Sequence, residues 1–275
     1  MVKLCLKGRM GNQLFQFAYA YLLAKEKKTR IVVKPISYFG YRLEMFALPL
    51  WLEFLPTRIF VKLQRIFFRL LTSHANIVEN SCFYQFQLPD KRGNIEVDGF
   101  FQDGRPYYKC REELLEVFKI RTSVKRKFEL KYASLLKQKN VVLNIRIADD
   151  YKVAYFDEIK SKGILPIDWY LSALKKINLT EFDNLIIISD SIAEVKKIQE
   201  IIQYNPIFID DEIHTDFLFL MNADCLIIPN SSFSWWGAFL NQRPNRKIYA
   251  PKNWVGHLVD IEYPTGIMIN EFEWI

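Results

Sequence analysis

Residues 216–250 read DFLFLMNADCLIIPNSSFSWWGAFLNQRPNRKIYA. A helical pattern over 215–222 gives way to a short apolar run at 225–229, a second helical pattern at 233–241 and a second β-rich run at 247–250. Short apolar strands alternating with helices are the mark of parallel βαβ units, because a strand covered on both faces shows no polar side. The rhythm extends backwards, with strands over 141–147, 184–189 and 206–209 and helices over 167–177 and 192–203. It recurs at the start of the chain: a strand over 2–7, a turn over 8–11, a helix over 12–28 and a strand over 30–34. Between the two sets lies VKRKFELKYASLLKQKN, residues 124–140, which reads as a domain junction. The expectation is an α/β protein of two Rossmann-like domains, 1–135 and 136–275, with a cleft between them and ligands at the carboxyl ends of the strands.

The 275 residues are half hydrophobic and one quarter charged, with only 10 glycines and 11 prolines, which excludes a disordered or low-complexity chain. The net charge of +7 suggests an acidic partner, but it is unevenly spread. Residues 1–140 carry 26 basic and 12 acidic side chains, a net +14; residues 141–275 carry 12 and 19, a net −7. An acidic half repels a polyanion, and basic and aromatic residues are not interleaved, so no nucleic-acid partner is expected. Cys5, Cys82, Cys110 and Cys225 form no C-x-x-C pair, and Cys5 and Cys225 lie in apolar runs as buried thiols would. No basic-then-apolar leader opens the chain and no window reaches ~18 apolar residues, so a cytoplasmic, non-spanning protein is expected. Residues 57–71 place Arg58, Lys62, Arg65 and Arg69 on one helical face among Ile59, Phe60, Leu63, Ile66, Phe67, Leu70 and Leu71. Such a helix either packs its apolar side in the core or lies on an anionic membrane surface, at the inner face of the cell membrane.

Three strand-end segments carry the chemistry. In Gly8–Gln13 (GRMGNQ) two glycines allow a tight turn and close approach of a phosphate to a helix N-terminus, or simply a strand–helix turn. It is neither a G-x-G-x-x-G nor a Walker loop. In 144–151 (NIRIADDY), Arg146 either grips a diphosphate bidentately or is neutralised by Asp149 or Asp150. In 216–237, Asp216 is either functional or a helix cap, and Asn230-Ser231-Ser232 brings hydroxyls and N–H donors to a helix start. Trp235 and Trp236 read as packing residues. The acidic run Asp210–Glu212 reads as a solvated loop or a strand-end metal site. His74, His214 and His257 show no metal-ligand spacing, and no metal site is expected.

Together these segments resemble the bacterial α-1,2-fucosyltransferase family, glycosyltransferase family 11. GRMGNQLFQFAYAYLLA (8–24) is similar to the family's G-x-G-N-Q-x-F-Q opening, and VDGFFQDGRPYY (97–108) to its D-G-Y-F-Q-S-E-K-Y-F segment. IISDSIAEVKK (187–197) resembles its S-D-D stretch, which brings Asp190 into the site set. DFLFLMNADCLIIPNSSFSWWGAFLN (216–241) and KIYAPKNW (247–254) complete an ordered resemblance over nearly the whole chain.

The resemblance implies a GT-B-like fold of two facing domains, with the donor nucleotide held mainly by the second. It implies inverting, metal-independent transfer of L-fucose from GDP-fucose to a sugar hydroxyl, usually the 2-OH of galactose, on an oligosaccharide acceptor that is lipid-linked or destined for the cell surface. GDP-fucose is then a co-substrate, and no cofactor is needed. Arg146 matches the diphosphate-binding first arginine of H-x-R-R-x-D-Y, and Asp216 matches the carboxylate used on guanine. Gly11, Asn12, Gln13, Asn144, Asn230, Ser231, Ser232 and Ser234 fall in the substrate-binding set. Asp149 matches the motif aspartate and is the first candidate base; Asp103 is the second. The departures gather in one segment: Asn144 replaces histidine, Ile147 the second arginine and Ala148 the glycine, and Asp150 intrudes before Tyr151. Asp103 also replaces a serine. A transition-state cation commonly contributes ~3 kcal/mol, so losing one leaves more of the leaving-group charge to Arg146 and to N–H donors. The same scaffold with another sugar or linkage, or a binding protein that has lost catalysis, remains the alternative.

Overall fold

The two sets of β-rich runs form two separate parallel sheets. A computed structural model describes residues 1–35, 40–48, 59, 62, 63, 66, 76–80, 94–148 and 155–275. The chain divides into two compact units, Met1–Arg121 and Thr122–Ile275.

In the first unit, strands β1 (Val2–Leu6), β2 (Ile31–Pro35), β3 (Asn76–Asn80) and β4 (Ile95–Gly99) make a sheet of order β2-β1-β4-β3, parallel at every pairing. Every residue of β1 is buried, which is why VKLCL reads as a continuous apolar run. Helix α1 (Met10–Glu26) follows β1 and packs Leu14, Phe15, Phe17, Ala18 and Tyr19 into the core. Helices α2 (Gly104–Lys109) and α3 (Arg111–Val117) follow β4 and bury Tyr107 and Leu114.

The second unit begins with helices α4 (Thr122–Lys131) and α5 (Ala133–Leu136). Its sheet has the order β12-β11-β10-β5-β8-β9 and is parallel throughout. The strands are β5 (Asn140–Ile145), β8 (Asn184–Ser189), β9 (Ile207–Phe208), β10 (Cys225–Ile227), β11 (Lys247–Ala250) and β12 (Glu273–Trp274), while β6 (Tyr155–Phe156) and β7 (Ser161–Lys162) form a small antiparallel hairpin. Helices α6 (Ile167–Lys175), α7 (Ile192–Val195), α8 (Gln199–Ile202), α9 (Ile213–Asn222) and α10 (Ser232–Phe239) connect them. Val141, Leu143, Ile145, Ile187 and Ile227, all 0% exposed, form the centre of the core. Trp235 and Trp236 are fully buried, with Trp235 stacked on Phe239 at 4.9 Å, so both are packing residues.

Two expectations change. The boundary between units falls at 121/122 rather than 135/136, because the lysine-rich segment is helical and packs on its own side. Phe128 and Tyr132 lie against Phe219 of α9 at 5.1 and 4.8 Å, and Lys131 Nζ donates to Asp211 at 2.8 Å. The single helix expected over 192–203 is two short ones, α7 and α8.

Candidate active site

In each sheet the chain runs outward from one strand in one direction and then returns to the other side. In the second unit β5 is followed by β8 and β9 on one flank, and β10, β11 and β12 fill the other. The loops after β5 and β10 therefore diverge and leave a crevice at their carboxyl ends, the place where open α/β sheets bind ligands. Arg146 leaves the end of β5, Ser231 and Ser232 follow β10, and Arg146 Nη1 donates to Ser231 Oγ across the crevice at 3.3 Å. One turn deeper, Asn144 Nδ2 donates to Ser234 Oγ at 2.8 Å, with both residues buried. Ser231 occupies the N-cap position of α10, makes no side-chain capping hydrogen bond there, and has its hydroxyl turned to Arg146.

Asp190, after β8, shapes the Arg146 loop. Its Oδ1 accepts from the backbone N–H groups of Ile147 and Ala148 at 2.9 and 3.2 Å, and its Oδ2 lies 3.8 Å from Arg146 Nε. Among the described residues, the carboxylate facing Arg146 is thus Asp190, just after the neighbouring strand. Asp149, Asp150 and Tyr151 lie outside the described residues. Tyr170, which the sequence reading passed over, is fully buried on α6, and its hydroxyl accepts from Arg146 N–H at 3.3 Å. Burial raises its pKa well above the ordinary tyrosine value.

Asp216 sits in the first turn of α9, where Glu212 holds the N-cap position; it is therefore not the cap. Its Oδ1 is buried with no hydrogen-bond partner. Burial, reinforced by the charges of Asp211 and Asp210, pushes its pKa up to about 8. Asp211 behaves oppositely: hydrogen bonding to Lys131, aided by Tyr132 and Thr215, holds it well below the usual carboxylate range. The Asp210–Glu212 run is thus engaged with α4 through Asp211 and through the Lys127–Glu212 pair. Among the described residues no three His, Cys, Asp or Glu side chains converge on a metal site.

Asn230 is 3% exposed, and its Nδ2 donates to Gly163 O at 2.6 Å and Trp254 O at 3.4 Å. It ties the segment after the β6–β7 hairpin to the 251–260 loop. His257 belongs to the same cluster, with Nδ1 3.0 Å from Trp254 O; burial lowers its pKa.

The first unit repeats the crevice logic between β1 and β4, with β2 on one flank and β3 on the other. Gly8, at φ +69°, makes the turn after β1; a Cβ there would lie 2.5 Å from Asn12 Nδ2. Gly11 lies inside the first turn of α1 and is buried. Asn12 Oδ1 accepts from Gln102 Nε2 at 2.8 Å, which joins the first turn of α1 to the loop after β4. Gln13, expected among the substrate contacts, is 0% exposed and fully engaged with backbone. Its Nε2 donates to Gly8 O at 3.0 Å and Gly40 O at 2.6 Å, and its Oε1 accepts from Arg42 N at 2.9 Å. Gln16, which the sequence reading missed, holds Lys7 in the same manner through N–H to Oε1 at 2.8 Å and Nε2 to O at 3.2 Å. A glutamine on an otherwise apolar helix face was the available signal. Asp103 caps α2 through Arg105 N at 3.0 Å and pairs bidentately with the Arg105 guanidinium at 2.9 and 2.6 Å.

The two units thus bring their motif residues to the switch points of two parallel sheets. Residues 1–262 match the glycosyl transferase family 11 description. The chain belongs to that family. It is 26% identical over 288 residues to the O-antigen biosynthesis glycosyltransferase WbnK of Escherichia coli, covering 91% of this chain and 93% of that protein. It is also 26% identical over 271 residues to an alpha-1,2-colitosyltransferase of Escherichia coli, covering 90% of each. Among solved structures it is similar to POFUT1 in complex with GDP, at a TM-score of 0.53 and 14% identity over 90% of this chain and 97% of that one. The fucosyltransferase NodZ from Bradyrhizobium aligns at a TM-score of 0.51 and 12% identity, over 87% and 92%. The fold is GT-B-like α/β, and family membership makes the protein a glycosyltransferase.

Proposed function

We propose that this family 11 member transfers L-fucose from GDP-β-L-fucose to the 2-OH of a galactoside, with inversion, in a cell-surface glycan or its lipid-linked precursor on the cytoplasmic side. The observation that carries the reading is the Arg146–Ser231 contact across the β5/β10 crevice, at the N-terminus of α10. A guanidinium, a hydroxyl and helix N–H groups at one point form a diphosphate site. Asp216 supplies the second half of the donor site: a carboxylate accepts from both N1–H and the 2-amino group of guanine, and Oδ1 has no protein partner.

In the reaction the acceptor oxygen forms a bond to the anomeric carbon as the bond from that carbon to the diphosphate oxygen breaks. The electron pair leaves with GDP, and the acceptor proton passes to a base. Arg146 and the α10 amides offset the charge that grows on the departing diphosphate. No metal ion or other cofactor enters this scheme. Asp149 is the candidate base by its place in the motif. Asp103, held by Arg105 and its own helix, acts in this reading as a positioning residue beside Asn12 and Gln102, which line the first unit's crevice.

The similarity to an alpha-1,2-colitosyltransferase favours a second reading, in which the linkage is kept and the sugar differs. Incubating the protein with GDP-fucose or GDP-colitose and β-galactosides, with GDP release followed and the product linkage assigned by NMR, separates the two. An α-1,2-fucosylated product is expected. Turnover of GDP-colitose alone establishes the second reading, and GDP binding without turnover of either donor points to a binding protein.

A further inference from the structure

The cationic segment 57–71 lies mostly outside the described residues. Among those described, the first unit exposes two aromatic side chains, Phe100 and Tyr108, with 38% and 41% of their surface open. Tyr108 belongs to α2, whereas Phe100 is the first residue after β4, at the switch point between β1 and β4. Its neighbour Phe101 is 1% exposed and stacks on Tyr19 of α1, with ring centroids 4.0 Å apart and planes 14° apart. Phe101 takes φ +53°, a left-handed conformation that a bulky residue adopts only where its surroundings impose it. The stack on Tyr19 imposes it here, together with the Tyr107 hydroxyl, which donates to Phe101 O at 2.9 Å. Two consecutive phenylalanines are thereby divided, one locked into the core and the other left open, and among the described residues no other aromatic ring packs on Phe100.

The residues that follow fix polar groups beside this ring. Gln102 Nε2 is held by Asn12, and no described residue donates to Gln102 Oε1. The charges flanking Phe100 on β4 and α2 are paired, Asp98 with Lys7 and Asp103 with Arg105. An open ring, an oriented amide oxygen and neutralised charges suit a neutral polyhydroxylated ligand rather than an anion. We propose that Phe100 is the sugar platform of the acceptor site, stacking on the C–H face of a neutral pyranoside while Gln102 Oε1 accepts from one of its hydroxyls. The proposal rests on the transfer reading for the identity of the sugar: the groups assigned to the donor belong to the second unit, which leaves the first unit's crevice to the acceptor. One face of galactose, opposite its axial 4-OH, is a patch of polarised C–H bonds, and the face of an aromatic ring is negative, so the two attract beyond the apolar area they bury. Stacking occupies that face and leaves the equatorial 2-OH at the rim of the sugar, open to reaction.

The test is saturation-transfer NMR of the full chain titrated with methyl β-D-galactopyranoside and with lactose, with GDP release from GDP-fucose followed in parallel. Saturation is expected to be strongest at the protons of the C–H face. Phe100→Ala should weaken glycoside binding and raise the acceptor KM about tenfold or more, the scale of one aromatic contact. Phe100→Tyr should stay within a few-fold of wild type, whereas Phe100→Leu, which keeps apolar area but no ring, should lose about fivefold or more. GDP affinity and circular dichroism should be unchanged in all three, because the position is exposed and the donor groups lie in the second unit. Absence of saturation with both glycosides, or unchanged affinity and KM in Phe100→Ala, would overturn the proposal. The two readings fail separately. Turnover with an unchanged KM in Phe100→Ala keeps the transfer and removes the platform; Phe100-dependent glycoside binding without GDP release keeps the platform and removes the transfer.

Discussion

Asp216 combines a buried, unbonded oxygen with two acidic neighbours, an arrangement that costs folding stability unless a ligand supplies donors. With its pKa raised to about 8, the folded protein binds one more proton than the unfolded chain between the ordinary carboxylate range and pH 8. Its stabilising contribution is complete below the unfolded pKa and is lost as pH rises through the folded one. Asp216→Asn should therefore stabilise the protein by a few kcal/mol at most near pH 8, with little gain near pH 4; urea midpoints at the two pH values measure this. The same variant should weaken GDP far more than pyrophosphate. In the wild type, a carboxyl that is protonated at rest must ionise to accept from guanine, so GDP binding should release a proton at pH 7 and tighten towards pH 8. Calorimetry in buffers of different ionisation enthalpy reads that proton directly, and a buffer-independent heat would refute the assignment. Asn230 offers a structural counterpart: Asn230→Ala leaves the buried Gly163 carbonyl without its donor and should cost about 1–3 kcal/mol, seen as a lowered melting temperature.

At the scale of elements, α9 and α10 approach so closely that a Cβ on Gly237 would lie 2.6 Å from Leu220 Cβ. Gly237→Ala should cost about 1–3 kcal/mol and, because α10 carries Ser231 and Ser232 at its start, should also weaken GDP. Thermal unfolding and GDP titration of one variant test both effects together. These elements were legible because their strands are covered on both faces: the runs that became β5, β8, β10 and β11 are nearly unbroken apolar sequence. Helix α4 was read as a junction since its four cationic residues outnumber its three apolar ones and Phe128 is the one buried side chain within it. The site was legible in part. Arg146, Ser231 and Asp216 stood out by residue type at strand and helix ends, whereas the Asp190 grip on Ile147 and Ala148 depends on β5 and β8 being neighbours, which spacing along the chain does not reveal. Gln13 illustrates the reverse: its place in a motif suggested ligand contact, and burial assigns it to the backbone of the 40–42 loop.

For the whole molecule, moving the boundary to 121/122 redistributes the charge. Met1–Arg121 carries 20 basic and 11 acidic side chains, a net +9, and Thr122–Ile275 carries 18 and 20, a net −2. The lysines of α4 accompany the acidic residues they pair with, Asp211 and Glu212. The second unit is thus close to neutral overall, so on the proposed reading its diphosphate is held by placed groups rather than by a general positive field. Arg146 is the central one, since Ile147 and Ala148 supply no charge. The most direct measurement is a calorimetric titration of GDP into the wild-type protein and into Arg146→Ala at equal ionic strength. A loss of about 100-fold or more in affinity is predicted, the scale of one charge-assisted contact to a diphosphate in a water-poor site. Affinity unchanged within a few-fold would contradict the account and move the donor site away from the β5/β10 crevice.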